Sequence, residues 1–308
     1  MSQCGRSQTS QLIHFTPLRY PGGKAKLAES VKALLKSNRL LDGEYVEPYA
    51  GGAAIALELL LQEYVDRVHI NDISRPVYSF WKAVLTRTEE LCRLVNDKPL
   101  TVAQWDKQKA VFSRPTHHDV LELGFAMFYL NRTNRSGILN GGIIGGRDQT
   151  GPWKIDARYN AKELVRRIQA IASMKHRIRV TRKDALTLLR EGSERWSSAT
   201  LIYLDPPYYV KGRDLYHDFY EHDDHKRIAN YLRQAKLRQR WIVSYDNVPS
   251  IRKFYSGFRN IIYSIGYSAR KATQGSEIMF FCDELSVPSL HGNLKIVKEN
   301  GFKSSNVA

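Results

Sequence analysis

Thr200-Leu201-Ile202-Tyr203-Leu204-Asp205-Pro206-Pro207-Tyr208 is the stretch that decides how this chain reads. Its first five residues, apolar apart from Thr200, form a short run of the kind that fills a strand covered on both faces. The run ends at an acid followed by two prolines, which fix two φ angles and remove two backbone donors, so the turn is rigid. That turn presents a carboxylate, the Pro206 carbonyl and a tyrosine ring, with acceptors in excess of donors. Such a set suits a planar amino-heteroaromatic, with two acceptors for an NH2 group and a ring to stack on it. An exocyclic amine is a poor nucleophile because its lone pair is delocalised into the ring. Accepting both of its hydrogens draws the nitrogen toward tetrahedral geometry and localises that pair. A plain rigid turn is the alternative reading of the same four residues.

Similar apolar runs lie on either side, at 45–46, 67–71, 178–180, 241–244, 260–263 and 278–282. Between most of them the spacing is helical. Residues 53–63 are rich in Ala and Leu, while Val77, Phe80, Trp81, Val84 and Leu85 recur at three- and four-residue intervals, as do Ile228, Tyr231 and Leu232. Strand–helix alternation with continuous apolar strands predicts an α/β fold, Rossmann-like, with a mostly parallel sheet and helices on both faces. Ligands in such sheets bind beyond the carboxyl ends of the strands.

The alternation breaks over 99–172, first into a helical pattern and then into Gly137-Ile138-Leu139-Asn140-Gly141-Gly142-Ile143-Ile144-Gly145-Gly146, whose paired glycines predict a hairpin or exposed loop. The chain has 308 residues, 43% apolar and 25% charged, which is globular composition with room for two domains or one with an insertion. The expected division is a first catalytic part at 1–98, an inserted, mostly helical recognition domain at 99–172, a second catalytic part at 173–285 and a polar tail at 286–308, frayed from about 291. The formal net charge is +16, and residues 124–183 hold thirteen Lys and Arg against three Asp and Glu. There Arg132, Arg135 and Arg147 are spaced among glycines, asparagines and aromatics. This mixture places guanidinium groups on phosphates or base edges, or else makes a solvated basic face. No run of about 18 apolar residues exists to span a membrane, and residues 1–10 lack the apolar core of a secretory signal. Cys4, Cys92 and Cys282 form no CxxC pair, which excludes a disulfide framework and the usual zinc spacings. The expectation is a reduced, cytoplasmic protein without a metal.

After the first strand comes Glu47-Pro48-Tyr49-Ala50-Gly51-Gly52, where paired glycines allow either close approach to a ligand or a plain turn. It lacks GxGxxG, which argues against a nicotinamide oxidoreductase. The second strand ends at Asp72, an acid suited to a ribose diol or to capping the next helix. Arg182-Lys183-Asp184-Ala185 follows the third strand, and Asp184 is suited to an exocyclic amine or, again, to a helix cap.

With these residues assembled, positions 15–281 resemble the Dam-type family of DNA N6-adenine methyltransferases, which use S-adenosylmethionine. Leu18-Arg19-Tyr20-Pro21-Gly22-Gly23-Lys24 is similar to the family's N-terminal motif and implies that Tyr20 and Lys24 help hold the cofactor. Residues 47–52 resemble its glycine loop, which implies Glu47, Tyr49 and Gly51 near the methionine moiety. Asp72 matches the ribose-binding acid, and Asp184 with Ala185 the cofactor-adenine position. Asp205, Pro206, Pro207 and Tyr208 match the catalytic tetrapeptide, Asp205 also bordering the cofactor. Phe128-Tyr129-Leu130-Asn131-Arg132-Thr133 resembles the start of the DNA-recognition region, which implies DNA contacts from Asn131, Arg132, Asn134, Arg135, Arg147 and Lys154.

The resemblance implies a class I methyltransferase fold, double-stranded DNA as partner, a monomer, a flipped-out adenine as acceptor and S-adenosylhomocysteine as product. It does not carry a GATC target, because relatives that read GATC follow Asn-Arg-Thr differently. Restriction–modification, phage defence and housekeeping all use this chemistry. A cytosine-N4 or RNA-directed amino-methyltransferase is the rival reading, and a DNA-binding module without catalysis a further one. His217, Asp218, His222, Asp223, Asp224 and His225 look metal-like by composition but fit no ligand spacing, and a mobile polar loop near the DNA is expected there.

Overall fold

A computed structural model describes residues 15–19, 24–210, 220–235, 237–264, 276–290 and 294–302. Among them, one sheet holds β1 (Glu44–Glu47), β2 (Arg67–Asn71), β3 (Ile178–Thr181), β4 (Thr200–Leu204), β5 (Arg240–Asp246), β6 (Arg259–Ser264), β7 (Ser276–Phe281) and β8 (Lys295–Asn300), in the order β3-β2-β1-β4-β5-β7-β6-β8. The first five in that order run parallel, and β7 enters antiparallel between β5 and β6. All five residues of β4 are buried, as its apolar run requires of a central parallel strand.

From β1 the chain steps outward to β2 and β3, and from β4 it steps the other way to β5. Right-handed crossovers in opposite directions put the connecting helices on opposite faces of the sheet. The reversal falls between β1 and β4, which makes their carboxyl ends the place for a ligand. The seven expected strands are all present. The expected frayed tail is corrected: β8 pairs antiparallel with β6. Its residues Lys-Ile-Val-Lys-Glu-Asn are mostly exposed, so a strand at the edge of the sheet lacks the apolar run that marks the inner ones.

The helices are α1 (Ala28–Ser37), α2 (Ala54–Leu61), α3 (Arg75–Thr86), α4 (Thr88–Asp97), α5 (Val102–Phe112), α6 (Val120–Thr133), α7 (Ala161–Ser173), α8 (Ala185–Arg195), α9 (His222–Gln234) and α10 (Pro249–Phe254). Helix α6 is buried from Leu123 through Asn131 and packs against α3, with Phe80 and Phe128 stacked at 5.6 Å. Gly124 permits this approach, since a Cβ there would lie 2.9 Å from the Phe80 backbone. The helices of 99–172 thus share the core of the sheet domain.

Candidate active site

At the end of β1 the chain turns through Gly51 and Ala53, both at φ 45°, into α2. Ala53 has no side chain able to cap that helix. The Glu47 carboxylate does so instead, accepting from the Ala56 amide at 3.1 Å. Glu47 is 5% exposed, and its pKa is pushed up to about 8, first by burial and further by the nearby Asp205 charge, although the Ala56 hydrogen bond opposes this. Glu47 thus supports the glycine loop from beneath, because an uncapped helix start draws the nearest buried acceptor.

Asp72 holds the same loop from the side. Its Oδ2 accepts from the Gly51 amide and its Oδ1 from the Ser74 amide, both at 2.9 Å. The glycine loop is thereby joined to the start of α3. Just before it, Asn71 is 1% exposed and uses both ends of its amide. It donates to the carbonyls of Pro48 and Lys183 and accepts from Thr181 Oγ1 and the Lys183 amide, at 2.8–2.9 Å. One side chain thus ties together the ends of β1, β2 and β3. Asp184 caps α8, accepting from the Thr187 amide at 3.1 Å, and Ala185 is buried behind it.

Asp205 leaves β4 beside the loop that leaves β1, since the two strands are hydrogen-bonded neighbours. It is half-buried, and its Oδ1 accepts from Ser244 Oγ at 2.8 Å. Ser244 Oγ lies 2.8 Å from the Tyr203 hydroxyl, which becomes the donor once the serine proton points at Asp205. Asp246, two residues beyond Ser244 on β5, accepts from the amides of Tyr209 and Val210 at 2.9 and 3.2 Å. Tyr208 donates to Glu277 Oε1 on β7 at 2.9 Å. The Pro-Pro turn is therefore moulded by side chains of two strands remote in sequence. Ser244, Asp246, Glu277 and Asn71 escape sequence reasoning; the only signal is a polar residue inside or bordering an apolar run.

Aromatic rings close the other side. Tyr49 donates to the Tyr220 hydroxyl at 3.0 Å, the rings edge to face at 5.5 Å. Tyr209 lies 2.6 Å from His222 Nδ1 through its hydroxyl, and buried His225 meets the Tyr245 hydroxyl at 3.0 Å. Burial lowers the His225 pKa to about 4. The expected polar loop is corrected from His222 onward: these residues start α9, where the Glu221 amide donates to Asp224 Oδ2 at 3.1 Å. His217 and Asp218 lie outside the described residues. Among those described, no group of three or more His, Cys, Asp or Glu is placed to hold a metal ion, and no helix is long and apolar enough to cross a membrane.

Two of the residues expected to contact DNA are buried and bonded within the chain. Asn131, 0% exposed, brackets Arg19, accepting from its amide and donating to its carbonyl at 2.7 Å, and also donates to the Gly137 carbonyl. Asn134, also 0% exposed, accepts from Trp105 Nε1 at 2.7 Å and donates to the carbonyls of Ile138 and Leu139. Polar residues in a basic stretch read as surface, yet both amides hold the loop that bridges Asn134 to Ile143. Gly137, at φ 76°, lets Arg19 pass, since a Cβ there would lie 2.5 Å from the Arg19 carbonyl oxygen.

Arg132 is half-buried, with an Nε that finds no partner among the described residues. Burial, and then the charges of Arg19, Arg167 and Arg158, lower its pKa to about 10. Arg135 is exposed. Arg147 makes a bidentate ion pair with Asp106 at 2.8 Å, and Lys154 donates to the Gln149 carbonyl. Trp153, 62% exposed, stands beside Lys154 with the Arg158 guanidinium 5.8 Å from its ring centroid. Tyr20 and the side chain of Lys24 lie outside the described residues.

Residues 20–266 match the profile of the D12 class N6 adenine-specific DNA methyltransferases. The chain belongs to this family. It is accordingly an enzyme that methylates adenine N6 in DNA, and its methyl donor is S-adenosylmethionine. Solved structures with a similar course include a SAM-dependent methyltransferase from Agrobacterium tumefaciens, with 11% identity over 83% of this chain and 61% of that one, at a TM-score of 0.39. Another is an rRNA methyltransferase from Streptomyces viridochromogenes, with 10% identity over 86% and 87% of the two chains, at a TM-score of 0.33. No curated protein matches the chain.

Asp72, Asp184 and Asp205 follow the ends of β2, β3 and β4.

Proposed function

We propose that the chain binds double-stranded DNA as a monomer in the cytoplasm and methylates an adenine flipped out of the duplex to the carboxyl ends of β1 and β4. The observation that carries this reading is that Asp205, leaving β4, and the Gly51–Asp72 clasp, anchored beside β1, belong to adjacent strand ends. Asp72 holds the ribose of the cofactor, Asp184 its adenine amine, and Tyr49 and Gly51 its methionine end, with Tyr20 and Lys24 completing the set. When bound, S-adenosylmethionine supplies a methyl group on a cationic sulfur.

The remaining work falls to the turn. Asp205 and the Pro206 carbonyl accept the two amino hydrogens of the extruded base, which localises the lone pair on nitrogen. Tyr208 stacks on the ring, while Pro207 keeps the turn from relaxing. Flipping costs a few kcal/mol and is offset by these contacts. Holding both reactants aligned lowers a barrier by about 7–11 kcal/mol, so Asp205 need not be a strong base. Residues 99–172 act as the recognition segment, with Arg132, Arg135, Arg147 and Lys154 on the DNA.

Binding of S-adenosylhomocysteine by calorimetry tests the cofactor assignment. D72A is expected to weaken it at least tenfold and R135A to leave it unchanged. Equal binding by wild type and D72A contradicts the assignment.

A further inference from the structure

Glu277 is the one charged residue of β7, and it is 2% exposed. A carboxylate so placed stabilises a fold poorly, because taking its charge out of water is costly unless hydrogen bonds compensate. Its two oxygens are divided between two phenols: Oε1 accepts from Tyr208 at 2.9 Å and Oε2 from Tyr263 at 3.0 Å. Tyr263 is its cross-strand partner on β6, and Asp246, which fixes the next two amides of the turn, is its partner on β5. Glu277 therefore stands where the sheet meets the catalytic turn.

We propose that Glu277 is a positioning residue that acts through Tyr208, and that the tyrosine hydroxyl serves as a tether rather than as a contact to substrate. The inference rests on the reading of Tyr208 as the ring that stacks on the extruded adenine. A ring attached only at Cα swings about its side-chain torsions. Holding its hydroxyl on a carboxylate that Tyr263 also holds restricts the first torsion, and because a phenol O–H lies in the ring plane, the direction of the acceptor favours one plane on which a base can stack. The tether explains why an acid occupies this buried position: an acceptor-only group with two oxygens satisfies two phenol donors.

The test is a double-mutant cycle on kcat, using unmethylated genomic DNA as substrate, with S-adenosylhomocysteine affinity and urea midpoints measured alongside. Y208F keeps the ring face and removes the tether. It is expected to lower kcat about tenfold while cofactor affinity stays within twofold. E277A is expected to do the same, and Y208F combined with E277A to be no slower than E277A alone, because both changes cut one link. E277Q keeps an acceptor for Tyr208 and is expected to restore most of the rate. Y263F leaves the Tyr208 bond in place and is expected to lose less than Y208F.

Wild-type kcat in Y208F, or losses that multiply in the double variant, would overturn the proposal. Should E277A fail to fold, the rate of Y208F decides alone. A wild-type chain that forms no N6-methyladenine overturns the parent reading instead, and this proposal with it.

Discussion

Ser244 donates its hydroxyl proton to Asp205 across 2.8 Å, from the middle of a strand that pairs with the one Asp205 ends. The bond engages one carboxylate oxygen from the sheet side and fixes the plane of the carboxylate. Replacing Ser244 by Ala leaves the backbone and the Pro-Pro turn in place but frees that plane. A hydrogen bond to a charged group is worth ~1.5–3 kcal/mol, so S244A is expected to lower kcat by roughly 10- to 100-fold. Steady-state rates with DNA and donor saturating measure the effect.

The buried amide of Asn131 predicts a stability effect where the sequence suggested a DNA contact. Asn131→Ala leaves the Arg19 amide and carbonyl and the Gly137 carbonyl without their partner. The expected loss is about 2–4 kcal/mol, the consequence of several unsatisfied buried groups. Urea denaturation checks it. S-adenosylhomocysteine affinity should fall as well, because the freed segment runs directly into Tyr20.

Charge on the recognition segment predicts a salt effect. If Arg132 and Arg135 each meet a phosphate, each alanine substitution should reduce the slope of log K against log salt by about 1. Arg147→Ala should change it less, since Arg147 must first leave Asp106. Fluorescence anisotropy on a labelled duplex at several salt concentrations gives the slopes.

Much of the site was legible because its chemistry is contiguous. Asp205 to Tyr208 sits on one turn, and Asp72 and Asp184 each follow an apolar run, so the strand ends alone mark them as candidates. The supports were hidden for a physical reason. Ser244 lies 39 residues from Asp205, and Glu277 lies 69 from Tyr208, and only the order β4-β5-β7 brings them together. The burial of Asn131 and Asn134 was hidden because an amide surrounded by arginines looks solvated until its partners are known. β8 escaped notice because an edge strand exposed along most of its length has no apolar run to announce it.

Glu47 predicts an alkaline loss of stability. Its pKa is about 8 in the folded chain against an ordinary 4.5, so the folded state binds the proton more tightly. The associated stability is complete below pH 4.5 and declines as pH rises toward 8. Between pH 6 and 8 the decline is on the order of 2–3 kcal/mol. Glu47→Gln keeps an acceptor for the Ala56 amide but cannot ionise. Its melting temperature should therefore fall much less than that of the wild type over this range, as calorimetric scans at the two pH values would show.

The account as a whole is tested most directly by nucleoside mass spectrometry of unmethylated DNA incubated with the protein and S-adenosylmethionine labelled in the methyl group. Wild type should place the label in N6-methyladenine, and D205A should place none there while still retaining DNA binding. Label in N4-methylcytosine, or a D205A rate near that of wild type, would contradict it.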